Sequence, residues 1–99
     1  MAQFMATLTR NLAEFTVAEF TDELLEIEAE RARRLYADGI FRAMWSRLDV
    51  PGAVVLIEAA FEHDARHAVE SLPLMQRGML LCDSLLPLAP YRGFGPRGG

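Results

Sequence analysis

A chain of 99 residues is long enough for one domain with a modest core and too short for two. With 52% hydrophobic and 24% charged residues it is neither disordered nor fibrous in composition, and no apolar run reaches the ~20 residues that span a bilayer. The net charge is −4 and all ten cations are arginines, which excludes Schiff-base chemistry or pyridoxal attachment through a side-chain amine. Those arginines are dispersed, except for "RARR" at 31–34, which sits among acids. With no basic face to meet a phosphate backbone, nucleic acid is not an expected partner, and neither is a membrane. No basic stretch followed by an apolar block is read as a secretory signal. The lone Cys82 has no partner for an internal disulfide and fits a reducing cytoplasm.

In chain order, "AQFMATLT" (2–9) alternates Phe4, Ala6 and Leu8 against Gln3, Met5 and Thr7, the period of a first strand. Thr16 and Glu19 have capping-box spacing, which predicts a helix from about Val17 to Asp38 with Gly39 as its left-handed stop. Val17, Phe20, Leu24, Ile27, Ala32 and Leu35 give that helix a packing face. Residues 40–48 read as a second strand, 49–52 ("DVPG") as a turn, and 53–59 ("AVVLIEA") as a β-branched third strand. A second helix is predicted over 62–77, broken or kinked at Pro73, and a fourth strand over 79–88.

The order β-α-β-β-α-β matches an α+β, ferredoxin-like arrangement: a four-stranded antiparallel sheet with two helices on one face. Residues 1–90 form this single domain and 91–99 a flexible Gly/Pro-rich tail. The other sheet face, expected to carry Met5, Thr7, Val55 and Ile57, is too apolar for water. Pairing two such faces predicts a homodimer, with larger homo-oligomers also open.

One position breaks the pattern of the first helix. At about 100° per residue, Glu28 points within roughly 40° of Val17, Leu24 and Leu35, in the middle of the apolar stripe. Arg31 lies on the same side. Either the two form a structural i,i+3 ion pair, or the helix lines a pocket whose apolar wall raises the carboxyl toward neutrality and suits it to proton transfer.

Other polar groups carry weaker signals. His63 and His67, spaced i,i+4 near Asp64 and Glu70, have metal-like spacing but face away from the apolar side, so they read as a solvated face and no metal is expected. No phosphate loop, GxGxxG or nucleophile elbow is present, and Cys82 reads as a small buried hydrophobe. No cofactor is expected.

Glu28 followed by "RRLYADG", then "FRAMW", "VVLIEA" and "SLPLM", is similar in order and spacing to the muconolactone isomerase family and its dimeric α+β barrel relatives. The resemblance implies a metal-free, cofactor-independent proton shift in a small unsaturated lactone or carbonyl compound. It implies Glu28 as proton carrier, with Arg42 and Trp45 as the pair suited to an oxygen and to a ring wall. Glu28 and Arg42 are thus the candidate catalytic residues, and Trp45 and Arg31 the candidate substrate-binding ones. Where the family has a His-Tyr pair, this chain has Val50 and Pro51. That departure keeps open a tailoring enzyme of secondary metabolism, a cyclase or dehydratase, and beside it a non-catalytic ligand-binding protein.

Overall fold

Alternation along the first strand organises the domain. A computed structural model describes residues 1–95, and in it β1 (Ala2–Arg10) buries Phe4, Ala6 and Leu8 while Met5 and Thr7 face the other way. The remaining elements are α1 (Asp22–Ala37), β2 (Phe41–Ser46), β3 (Gly52–Ala59), α2 (Glu62–Glu70), α3 (Pro73–Gln76) and β4 (Leu80–Leu88). The strands form one antiparallel sheet in the order β2-β3-β1-β4, the ferredoxin-like arrangement, and the helices cover one of its faces. Residues 96–99, the end of the expected tail, lie outside the described residues.

The register corrects the expected open face. Phe4 pairs with Ile57 and Ala6 with Val55, so Val55 and Ile57 are in the core and fully buried. Val54 and Leu56, paired with Thr7 and Met5, take their places on the uncovered face. Leu86, opposite Met5 on β4, and Trp45, opposite Val54 on β2, share it.

The first helix starts later than its capping box. Glu19 does accept the Thr16 N–H at 3.2 Å, but that box closes only a 3-10 turn over Val17–Glu19. Phe20 then leaves the helical path to enter the core, and a second cap begins α1: the Thr21 hydroxyl accepts from Leu24 N–H at 3.2 Å. Val17 and Ile27, expected to pack, are 69% and 46% exposed. The helix ends at Gly39 (φ 77°), where Ile40 N–H bonds back to Leu35. The second predicted helix is two. Leu72 is extended, as the residue before a proline prefers, and Pro73 opens α3 as its first residue.

Gly52 marks the closest approach in the sheet. A Cβ there would lie 2.0 Å from the Leu8 carbonyl oxygen, which is backbone and has no room to yield. Gly52→Ala is therefore expected to destabilise the fold by roughly 1–3 kcal/mol, read as a lowered midpoint in urea unfolding.

Candidate functional site

The question raised by Glu28 has a definite geometric answer. It is the one buried charged residue among the described residues, 8% exposed, and it does not pair with Arg31. Its Oε1 accepts the Leu74 N–H at 3.0 Å. Leu74 is the second residue of α3, and its N–H is one of the donors that a helix start leaves without an intrahelical acceptor. The break at Pro73 thus creates the partner that Glu28 takes. Arg31 turns to the same corner, its Nε donating to Ser71 Oγ at 3.0 Å, while the Ser71 hydroxyl donates to the Ala68 carbonyl at 2.7 Å. These i,i+3 neighbours on α1 each grip the α2–α3 junction and leave each other alone.

Glu28 Oε2 has no partner among the described residues and is shut from solvent. Burial raises the carboxyl above its ordinary 4.5, and the Leu74 bond offsets part of that rise. The residue lines a half-open, mostly apolar hollow of about 430 Å³ between α1 and the sheet. Leu25, Ala29 and Ala32 of α1 form one wall, Met44, Ser46, Gly52 and Ala53 of the sheet another, and Leu74 and Leu80 the end. A volume of this size suits a small-molecule ligand.

The other candidates are placed differently. Arg42 is not in this hollow. It is the extra residue of a bulge, since Phe41 pairs with Ile57 and Ala43 with Leu56, and the bulge carries it to the sheet edge 4.0 Å from Glu58. There it lines a second hollow of about 260 Å³ with Tyr36 and Phe41, bordering the first along Ala32, Arg33 and Met44. Trp45 touches the first hollow, but its register opposite Val54 assigns it to the uncovered face, and it stays 52% exposed. Arg31 is a wall residue of neither hollow.

Arg10, absent from the candidates, also lines this hollow. It continues the inward series Phe4, Ala6, Leu8 by one more alternation, so the signal was present at the strand's last residue. Its guanidinium carbon lies 4.7 Å from the centre of the Phe20 ring. Arg33, the third charged wall residue, is held outside by Glu26 and Glu30 at 2.7 and 2.8 Å.

Away from the hollow, His63 stacks on Phe61 and meets His67 edge-on. The described residues contain no cluster of three His, Cys, Asp or Glu suited to a metal ion. No helix among them is long and apolar enough to cross a membrane. Burial raises the Cys82 thiol, whose Sγ donates to the Ser84 carbonyl, as befits a packing residue. Compared with models of protein families and with curated proteins, the chain matches none.

A carboxyl raised by folding binds its proton more tightly when folded than when unfolded, so Glu28 withdraws stability as pH rises from about 4.5 through its higher folded value. The difference in Tm between Glu28→Gln and the parent should therefore move in the variant's favour between pH 4 and pH 8. A difference constant across that window would show that the carboxyl titrates normally.

Proposed function

We propose that this chain is a cofactor-independent isomerase of the muconolactone isomerase type, acting on a small unsaturated lactone or related carbonyl compound. The supporting observation is Glu28, a buried carboxylate with one unpartnered oxygen, set in the wall of a mostly apolar hollow of ligand size. In this reading a rotation of the Glu28 side chain turns the free Oε2, buried at rest, into the hollow, where the carboxylate removes a proton from the carbon next to the ring double bond. The electron pair spreads through the conjugated system to the carbonyl oxygen, and the carboxyl returns the proton to the carbon α to that carbonyl. One group serves as base and acid on the same ring face, with no change of oxidation state. Arg42, at the sheet edge, has no part in this step.

A second reading keeps the carboxylate and changes the substrate. The turn that carries Val50 and Pro51 adjoins Gly52 in the hollow wall, and it lacks the polar pair of the resembled family. That favours a tailoring enzyme, a cyclase or dehydratase, over the catabolic isomerase. In either case we place the protein in the cytoplasm, on the strength of its lone cysteine, and as a homodimer. The uncovered sheet face, with Met5, Val54, Leu56 and Leu86, supplies the apolar surface that a second copy would cover.

Proton NMR in D2O with muconolactone and α-angelica lactone as probes reads double-bond migration and deuterium uptake together. Glu28→Gln should keep the parent circular dichroism and lower turnover by roughly 10²–10⁴-fold. Unchanged turnover would remove the carboxylate from the mechanism, and binding without any exchange would leave a ligand-binding protein. Sedimentation should give the mass of two chains for the parent and of one for Leu86→Glu.

A further inference from the structure

We propose that Arg10 is the anion-holding residue of the Glu28 hollow, and that it receives a ring-borne oxygen anion of the enolate type. Strand alternation places it: Arg10 pairs with the buried Leu80 and follows Leu8 on the helix-covered face. Two cations line the hollow, and they differ in one respect. Arg33 is neutralised by Glu26 and Glu30, whereas Arg10 has neither an acidic partner nor a side-chain hydrogen bond among the described residues. Its contact with the Phe20 ring orients the guanidinium through the face of the ring and leaves its N–H donors free. A guanidinium cannot discharge by losing a proton, so an apolar recess that contains one attracts a counter-ion.

Glu28 does not fill that need: it makes no ion pair or hydrogen bond with Arg10 among the described residues, and its Oε1 is already engaged by Leu74. The anion therefore comes from the ligand. The inference rests on the isomerase reading for the reaction it serves. As the proton passes to Glu28, the electron pair gathers on the carbonyl oxygen, and a fixed fork of donors stabilises that oxygen more than the neutral carbonyl it came from.

Tetronate, a planar five-membered enolate that is anionic at neutral pH, is the probe, with the neutral parent butenolide as control. Calorimetric titration of the whole chain should show tetronate bound about tenfold or more tightly than butenolide. Arg10→Gln should lose that preference, and Arg10→Lys should keep part of it. In the parent protein, saturating tetronate should shift the Arg10 Nε–H resonance, a readout that needs no variant to fold. Equal binding of the two probes by the parent, an unshifted resonance, or a folded Arg10→Gln that still prefers tetronate would each overturn the assignment. The isomerase reading fails separately, through full turnover by Glu28→Gln while the parent protein keeps its preference for tetronate.

Discussion

The hydrogen bond from Leu74 N–H to Glu28 Oε1 is the contact on which the arrangement of the helical layer depends. It joins α1 to the first turn of α3, two segments 46 residues apart in the chain, through a charge-capable acceptor and a backbone donor that has no other partner. An apolar residue at position 28 would fill the stripe of α1 but leave that donor buried and unsatisfied, a cost of about 1–3 kcal/mol. The carboxylate meets the need with one oxygen and leaves the other, Oε2, without a partner. A cap requires only one acceptor, so the second oxygen is surplus to the structural role. Surplus polarity in a buried place is where local rules of folding give way to other demands.

The arginines of α1 show how the same spacing yields opposite outcomes. Glu30 and Arg33 form the i,i+3 pair expected of such a helix, on its solvent side, where both side chains remain mostly exposed and the pair adds little to stability. Glu28 and Arg31 have identical spacing, yet the α2–α3 junction presents each with a better partner: a backbone donor for the carboxylate and the Ser71 hydroxyl for the guanidinium. Spacing along one helix lists possible pairs. Packing against a neighbour selects among them.

The sheet and its order were legible because strands announce themselves by period two and by the turn residues between them. What escaped sequence reasoning did so for identifiable reasons. β3 is apolar at nearly every position, so alternation could not say which of Val54, Val55, Leu56 and Ile57 faced the helices; pairing with Phe4 and Ala6 decided it. Two threonines offered caps five residues apart, and the buried Phe20 between them broke the earlier helix path. The position of Glu28 in the stripe was readable from helical geometry alone. Its partner was not, since the relevant donor exists only once Pro73 has ended the preceding helix. Arg42 was displaced by a bulge that leaves no mark in composition. Arg10 was overlooked because it is the terminal residue of a strand read one position short.

The glycine at position 52 has one more consequence. Where it lines the recess, the boundary is peptide backbone locked between β1 and β2, with no rotatable group to reshape it. Next to it in the same sheet wall stands Met44, a long unbranched side chain that can adopt many poses. The sheet wall of the cavity therefore joins one fixed contour to one pliable one, so a guest molecule must match the first and can be accommodated by the second.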